Sequence, residues 1–233
     1  MRDRSSSTGA KPVRRSAISV DVVLFTPRNE QLATLLVRQP DGRGRERWVL
    51  PWDARHDDEP LDDAAARIAR GALGTAPAWL EQIGAFGDRR RHPSEGQLSI
   101  GYVGLVPAGV TSLPETSDAA WHPVEELPAL APRQRAIMEA ASEELRLRLD
   151  QAPIAFRLLP VMFTLSELQE IYELLLGRRL HKASFRRALQ GAWLVEPTDE
   201  WRSEGRGRPA QLFRYAPRKR RGNRRGVRFD LLV

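Results

Sequence analysis

The fold of the C-terminal part is decided by residues 164–190, TLSELQEIYELLLGRRLHKASFRRALQ. Thr164 and Glu167 have the spacing of a capping box, in which the threonine hydroxyl accepts a hydrogen bond from the third amide of a helix. The glutamate in turn accepts one from the threonine amide. This pattern predicts a helix that begins after Thr164, runs to Leu176 and ends at Gly177.

A turn, a second helix and a hairpin follow in the sequence. Residues 178–180 predict the turn, and residues 182–190 predict the second helix because their large apolar side chains are spaced at i, i+4. Residues 194–196 and 211–215 predict two short strands on either side of the polar, glycine-rich stretch 203–209. Together these elements predict a winged helix-turn-helix.

The second helix carries the side chains that we expect to meet DNA. A helix reads the major groove with long polar side chains near its N-terminal end, and the residues that meet this requirement are Lys182, Ser184, Arg186 and Arg187. Arg186 and Arg187 are adjacent and cannot both face one base, so we expect one to read a base and the other to hold a phosphate. The alternative is a basic helix face that meets only solvent.

The hairpin and the residues after it add positive charge. Residues 205–209, Gly-Arg-Gly-Arg-Pro, resemble the core of an AT-hook, in which Arg206 and Arg208 would enter a narrow minor groove. The alternative is a wing whose arginines touch only phosphates. Residues 218–228 contain seven Lys and Arg and are typical of an electrostatic tail that binds DNA without reading its sequence.

The positive charge of the chain is regional. The 233 residues have a formal net charge of +7, but residues 1–156 carry 20 Lys and Arg against 22 Asp and Glu, whereas residues 157–233 carry 17 against 8. This asymmetry favours a polyanion as the partner of the C-terminal part. We expect double-stranded DNA rather than RNA, because a winged helix offers no clear aromatic surface for splayed bases.

Composition excludes several other classes of protein. With 41% hydrophobic and 29% charged residues, the chain is typical of a globular protein. It has no cysteine, which excludes disulfides, thiolate zinc sites and cysteine nucleophiles, and its four histidines show no metal-ligand spacing. No stretch is apolar enough for a membrane helix or a signal peptide, so we expect a cytoplasmic protein that binds no membrane.

The N-terminal half predicts an α/β domain. We expect strands at residues 18–24, 32–37, 48–50, 80–86 and 98–106, with a polar break at residues 27–29, and helices at residues 61–73 and 132–149. The first helix follows Pro60 and ends at Gly74. The predicted organisation is a disordered basic arm (1–17), an α/β ligand-sensing domain (18–150), a linker (151–153), a winged helix domain (154–216) and a basic tail (217–233).

The first helix and the loop before it contain an incomplete catalytic motif. Glu59, Arg67 and Gly74 resemble, in register, the Nudix box G-x5-E-x7-R-E-U-x-E-E-x-G-U, where U is a bulky aliphatic residue. Nudix hydrolases use the carboxylates of this helix to bind the divalent metals that assist pyrophosphate cleavage. The positions of the remaining three glutamates and of the first glycine hold other residues here, namely Ile68, Gly71, Ala72 and Asp53.

A group of acidic residues at the start of the helix does not restore the motif. Its members are Asp57, Asp58, Glu59, Asp62 and Asp63. We expect them to oppose the helix dipole at its N-terminus, and we expect Glu59 and Arg67 to form a structural ion pair. The sequence therefore predicts no catalytic residue, no metal ligand and no hydrolase.

Later segments narrow the resemblance. Four segments are similar to ADP-ribose-type Nudix proteins, namely residues 80–88, 91–93, 99–102 and 121–128. Two further segments, residues 163–169 and 207–210, are similar to the C-terminal domain of NrtR, the Nudix-related transcriptional regulators. The resemblance to NrtR covers about residues 18–216. It implies a Nudix-like α/β sandwich joined to a winged helix-turn-helix. Arg133 and Gln134 depart from the family, which has an aspartate-histidine pair before the long helix.

The resemblance implies a homodimeric repressor of NAD biosynthesis or salvage genes, bound to a palindromic operator. Its effector would be ADP-ribose or a related NAD-derived nucleotide, and no cofactor would be required. Aromatic faces can stack on adenine and guanidinium groups can neutralise a diphosphate, so the candidate ligand-binding residues are Arg38, Trp48, Phe86, Arg89 and Arg91. The alternative is an active hydrolase of ADP-ribose-type substrates with an accessory nucleic-acid-binding domain.

Overall fold

The computed structural model describes residues 18–40, 44–88, 90–94, 96–110, 113, 118–203 and 209–217. The predicted arm, the tail beyond Pro217, and the candidate site residues Arg89, Arg206 and Arg208 lie outside the described residues. No described helix is long and apolar enough to cross a membrane.

The described part of the N-terminal domain forms one mixed sheet with a helix on each face. Its elements are β1 (Ile18–Arg28), β2 (Gln31–Pro40), β3 (Glu46–Val49), β4 (Trp52–Ala54), α1 (Leu61–Leu73), β5 (Trp79–Phe86), β6 (Leu98–Leu105), β7 (Ala119–Pro123) and α2 (Pro132–Gln151). The strand order is β3-β2-β1-β6-β5, with β4 also paired to β1 and β7 to β2. The β1–β6 pair is parallel, and the other pairs in this sheet are antiparallel.

The alternation of side chains in β1 explains the three layers. Val20, Val22 and Leu24 belong to the core that contains the buried side of α1, whereas Val23 and Phe25 belong to the core that contains α2. Successive residues of a strand point to opposite faces of the sheet, so a strand that is apolar on both faces must be covered on both. The predicted sandwich is confirmed.

Several boundaries differ from the prediction. The expected break at residues 27–29 is wrong, because β1 continues to Arg28 and the turn is formed by Asn29 and Glu30, both with positive φ. Two residues with positive φ are typical of the tight turn that joins twisted antiparallel strands. The strand expected at residues 48–50 is β3, which ends at Val49. The short strands β4 and β7 were not predicted.

The C-terminal domain is a winged helix, as predicted. Its elements are β8 (Met162–Phe163), α3 (Leu165–Leu176), α4 (Lys182–Ala192), β9 (Val195–Arg202) and β10 (Ala210–Tyr215), and the strand order is β8-β10-β9. The first wing strand is longer than the expected residues 194–196, because it continues through polar residues to Arg202. A break in register between Gln211 and Phe213 lets this longer strand remain paired with β10.

The two domains share one hydrophobic core. Leu145 and Leu149 of α2 are buried in the same cluster as Tyr172 and Leu175 of α3. The expected three-residue linker is too long, because α2 includes Gln151, and a 3-10 helix, Ile154–Leu158, follows almost directly with most of its side chains buried. Helix α2 is therefore a structural element of both domains.

Candidate functional site

Helix α3 begins with the predicted capping box. Thr164 Oγ1 accepts a hydrogen bond from the Glu167 amide at 3.1 Å, and Glu167 Oε2 accepts one from the Thr164 amide at 2.6 Å. The other carboxylate oxygen of Glu167 accepts a hydrogen bond from Arg202 Nη1 at 2.6 Å. Because Arg202 is the last residue of β9, the capping glutamate also ties the wing to the first turn of α3.

The turn between α3 and α4 is fixed by the buried side chain of Glu173. Its Oε1 accepts hydrogen bonds from the Leu180 amide at 2.9 Å and from Gln169 Nε2 at 2.8 Å, and its Oε2 accepts one from Arg179 Nη1 at 2.9 Å. Burial raises the pKa of Glu173, but these hydrogen bonds outweigh burial, and the net effect is a lowered pKa. The charged carboxylate therefore holds the turn that leads into α4.

Helix α4 presents basic side chains on the face opposite its buried one. Phe185 and Leu189 are buried in the domain core. Lys182, Arg186 and Arg187 are exposed and form no ion pair with another described residue. The fourth side chain predicted to contact DNA, Ser184, is half-buried near the start of the helix, and its Oγ lies 3.3 Å from His181 Nδ1.

An exposed tryptophan of the wing, Trp201, was not predicted from the sequence. Trp201 lies opposite Gln211 in the β9–β10 pair, close to the end of β9, and 58% of its surface is exposed. A tryptophan among the polar residues 198–202 was the signal that could have identified it. The predicted wing residues Arg206 and Arg208 lie outside the described part of the chain.

The entry to α1 is organised around Arg67, as the predicted ion pair requires. Arg67 Nε and Nη2 donate to the two oxygens of Glu59 at 2.8 and 3.0 Å, and Nη1 donates to Asp53 Oδ2 at 2.6 Å. The His56 amide also donates to Glu59 Oε2 at 3.1 Å. The hydrogen bond from Arg67 is the main cause that lowers the pKa of Glu59 to about 2. Both oxygens of this carboxylate are thus engaged in holding the loop.

The neighbouring acidic residues do not cap the helix with their side chains. The residue at the N-cap position is Pro60, which has no capping side chain, and Asp62 and Asp63 lie in the first turn. Asp62 Oδ1 accepts a hydrogen bond from the Tyr102 hydroxyl at 2.6 Å. The expected placement at the positive end of the helix dipole is confirmed for Asp62 and Asp63.

The residues of this helix do not fit a divalent metal. Ile68 is buried in the core, Gly71 has no side chain, and Ala72 packs against the core with a methyl group. Among the described residues, no group of three or more His, Asp or Glu side chains is placed to hold a metal ion. The helix therefore lacks the carboxylates that the Nudix box supplies.

Arg38 and Trp48, two of the predicted ligand-binding residues, lie together. They face each other across the β2–β3 pair, and the Arg38 guanidinium carbon is 4.7 Å from the centre of the Trp48 ring. His122 of β7 meets the same indole edge-on at 4.6 Å. Burial, and after it the charge of Arg38, lowers the pKa of His122, so its ring favours the neutral form.

The other predicted ligand-binding residues lie elsewhere. Phe86 ends β5, which is at the opposite edge of the strand order from β3, about 19 Å away at four strand spacings. Arg91 is exposed in the following loop, where its carbonyl accepts a hydrogen bond from the Arg133 amide at 3.1 Å. Arg89 lies outside the described residues. The structure thus divides the predicted set into two groups.

A buried polar cluster on β1 lies between the two groups and was not predicted. His92 Nε2 is 2.7 Å from Asp21 Oδ1, and Gln134 Nε2 donates to the same oxygen at 2.9 Å. Gln134 Oε1 accepts a hydrogen bond from the Leu50 amide at 3.2 Å, and the Trp52 ring meets His92 edge-on at 5.1 Å. Gln134, at a position where the sequence departs from the NrtR pattern, therefore joins α2 to the sheet.

These features define a class of protein, in which a Nudix-type domain without its metal-binding carboxylates is joined to a DNA-binding winged helix. Family models match both parts: the NUDIX domain matches residues 15–141 and the NrtR DNA-binding winged helix domain matches residues 155–215. The chain belongs to the NrtR family.

Individual relatives agree over most of the chain. Shewanella oneidensis NrtR, solved in complex with a 27mer DNA, is 30% identical, with a TM-score of 0.75 over 87% of this chain and 94% of that one. The ADPR responsive transcriptional repressor NtrR of Acinetobacter baylyi is 29% identical over 85% of this chain and 82% of the relative. A MutT/nudix family protein from Enterococcus faecalis is 18% identical with a TM-score of 0.67 over 87% of this chain and 89% of that one, which shows the fold alone.

Proposed function

We propose that this protein is a transcriptional repressor of NAD biosynthesis or salvage genes, controlled by ADP-ribose or a related NAD-derived nucleotide. It acts in the cytoplasm as a homodimer on a palindromic operator and needs no cofactor. The observation that carries the proposal is the exposed basic face of α4, which is held from behind by Glu173 and the core. The S. oneidensis relative supports this role, because it was solved with DNA bound.

The basic face of α4 suits the major groove. Lys182 lies in the first turn, Arg186 follows one turn later, and Arg187 is adjacent to it, so long cationic side chains project near the N-terminal half of the helix. A rigid helix lowers the entropic cost of placing guanidinium groups on base edges. Arg206, Arg208 and the basic tail add contacts in the minor groove or with phosphates.

The N-terminal domain supplies the effector site. The indole of Trp48, with Arg38 over its ring, offers a face for adenine and a charge for a diphosphate. Phe86 at the end of β5, with Arg89 and Arg91 in the loop after it, would contact the far end of an extended dinucleotide. The A. baylyi relative is described as responsive to ADPR, which supports a nucleotide of this kind. The ligand is an effector rather than a substrate because the metal-binding positions of the Nudix box on α1 hold Ile68, Gly71 and Ala72.

Helix α2 provides the coupling between the two sites. Its N-terminal turn is joined to β1 by Gln134, and its C-terminal turns are packed against α3 through Leu145 and Leu149. A ligand that shifts α2 relative to the sheet therefore moves the winged helix. In a dimer, such a shift changes the spacing of the two α4 helices relative to two operator half-sites.

A test for hydrolase activity separates the proposed repressor from the hydrolase alternative. We expect no turnover of ADP-ribose at ordinary enzyme rates with Mg²⁺ or Mn²⁺, because Ile68, Gly71 and Ala72 cannot bind either metal. Chromatography measures the release of AMP from ADP-ribose. Metal-dependent turnover that disappears in Glu59→Gln would show that the protein is an enzyme.

The DNA-binding proposal is tested on a duplex that the wild-type chain enriches from a random library. We expect Arg186→Ala or Arg187→Ala to weaken binding to this duplex by about 1–3 kcal/mol if its guanidinium reads a base. Binding to a scrambled duplex should change much less. The matched control is Arg28→Ala, which removes an exposed arginine at the end of β1.

Truncation after Pro217 tests the part of DNA binding that does not depend on sequence. Removing the basic tail should weaken binding to both duplexes together and flatten the salt dependence, because the tail meets phosphates rather than bases. If truncation removed sequence discrimination while both arginine substitutions had no effect, α4 would not be the recognition helix.

A further inference from the structure

A groove of about 730 Å³ runs along α2 and reaches the C-terminal end of α3. It has an apolar lining that includes Leu127, Leu130, Met138, Leu147 and Leu176. Leu147 is 51% exposed and lines the groove together with these other apolar side chains. We call this feature the α2 groove.

Carboxylates line the α2 groove, whereas the C-terminal part of the chain is strongly basic. Glu139 and Glu143 are exposed one turn apart on α2, and Glu125 faces them from the 3-10 helix Val124–Glu126. These three carboxylates form no ion pair with another described residue. Two arginines, Arg135 and Arg146, also line the groove. An extended peptide with both basic and apolar side chains has the chemistry that fits this surface.

We propose that the α2 groove binds the C-terminal tail of the same chain, residues 218–233, RKRRGNRRGVRFDLLV. The first eleven of these residues contain the seven Lys and Arg of the basic run, and the remaining five include Phe229, Leu231 and Leu232. Basic side chains would lie against the glutamates and the apolar end against the leucines. The tail thus has the charge and the hydrophobic residues that complement the groove.

The position at which the chain leaves the winged helix supports this placement. The ring of Tyr215, at the end of β10, lies 4.6 Å from the ring of Phe156, which belongs to the 3-10 helix directly after α2. The tail therefore starts beside the C-terminal end of α2, where the groove also starts, at Asp150.

The tail is more than long enough to span the groove, because its 16 residues would cover about 53 Å if fully extended. From Asp150 to Arg135 the helix rises by about 22 Å, at about 1.5 Å per residue. An extended chain covers this distance in about seven residues. With the basic run placed along Glu143 and Glu139 in a partly extended form, the tail has enough length for its apolar end to reach Leu127 and Leu130.

The α2 groove and DNA would compete for the basic residues of the tail. The basic residues of the tail attract the carboxylates of the groove and also attract DNA phosphates, whereas the carboxylates repel DNA. If the protein binds DNA as proposed, the tail would leave the groove when the operator is bound. Docking itself does not depend on that proposal, since it rests on the groove and the tail alone.

The experiment uses the full chain without DNA. Because the chain contains no cysteine, a nitroxide can be attached at one introduced residue, Glu126→Cys, at the edge of the groove. We expect the amide NMR signals of residues 218–233 to lose most of their intensity. The control label at Asp63→Cys, on the opposite face of the sheet, should leave these signals unchanged. Equal intensities with the two labels would contradict the proposal.

Charge variants test whether the glutamates hold the tail. Glu139→Lys/Glu143→Lys, and more weakly Glu139→Gln/Glu143→Gln, should restore the tail signals, whereas Asp57→Lys/Asp63→Lys on the other face should not. Persistent signal loss in both groove variants would overturn the assignment. The alternative that the tail binds the groove of a second copy of the chain is tested by mixing nitroxide-labelled chain with isotope-labelled chain that carries no nitroxide. Signal loss in that mixture would place the tail on a neighbouring subunit and would also overturn the proposal.

Discussion

At the scale of single residues, Arg67 determines the role of the degenerate Nudix box. Its guanidinium binds both oxygens of Glu59 and one oxygen of Asp53, so the surviving residues of the motif form a structural clamp. Bidentate pairs of this kind hold their two partners in a defined geometry. The clamp explains why a box that lacks three glutamates still forms the loop and helix of a Nudix domain.

The clamp makes stability depend on pH in a defined direction. The pKa of Glu59 falls from its ordinary 4.5 to about 2 in the folded protein, so its contribution is complete above pH 4.5 and is lost as the pH falls toward 2. We expect Glu59→Gln to lower the free energy of unfolding at pH 7 by about 1–3 kcal/mol. In urea unfolding curves, the difference from wild type should shrink below pH 4.5.

Glu46→Gln, at an exposed position on β3, serves as the control and should unfold like the wild type at every pH. A constant difference between Glu59→Gln and wild type from pH 7 to pH 3 would show that the Glu59 charge is not what stabilises the loop.

Local contacts could be predicted from the sequence, but distant ones could not. Glu59 and Arg67 are eight residues apart, and the Thr164 capping box spans three, so both follow from local spacing. His92 and Gln134 are 71 and 113 residues from Asp21. Nothing in their local sequence links them, and only the sheet topology brings them together.

At the scale of elements, helix ends were better predicted than short strands. Helices α1 and α3 begin and end where the sequence predicts, since Pro60, Gly74, Thr164 and Gly177 mark their ends. Strand β4 has three residues and β7 has five, too few for a periodic pattern to identify. Strand β9 carries polar residues because it forms a wing with an exposed face.

Glu173 links the two helices of the DNA-binding motif, which leads to a prediction about the turn. Glu173→Gln replaces a buried carboxylate that accepts three hydrogen bonds. We expect the free energy of unfolding to fall by about 1.5–3 kcal/mol, because hydrogen bonds to charged groups contribute that much. Specific DNA affinity should fall as well, since Leu180 and the start of α4 lose their anchor.

Denaturant unfolding and fluorescence anisotropy on the enriched duplex measure the two effects, again with Glu46→Gln as the control. A variant with unchanged DNA affinity despite lowered stability would show that α4 keeps its position without the carboxylate.

At the scale of the whole molecule, α2 joins the sensing domain to the DNA-binding domain. It contributes Ile137 and Met138 to the core under the sheet, and Leu145 and Leu149 to the region of the same core that contains α3. The sequence predicted the helix and the two domains, but the shared core follows only from their packing. A continuous core has few ways to rearrange, so a shift of α2 at one end is carried to the other.

The central claim is that one chain couples a nucleotide to DNA, and reciprocal binding tests it most directly. Calorimetric titration of ADP-ribose into the protein, with and without the enriched duplex, should give two Kd values that differ by about 5–150-fold. ADP-ribose should change the Kd of the duplex by the same factor, and Trp48→Ala should remove the coupling but not DNA binding. If ADP-ribose binds equally with and without the duplex, or does not bind, the account is contradicted.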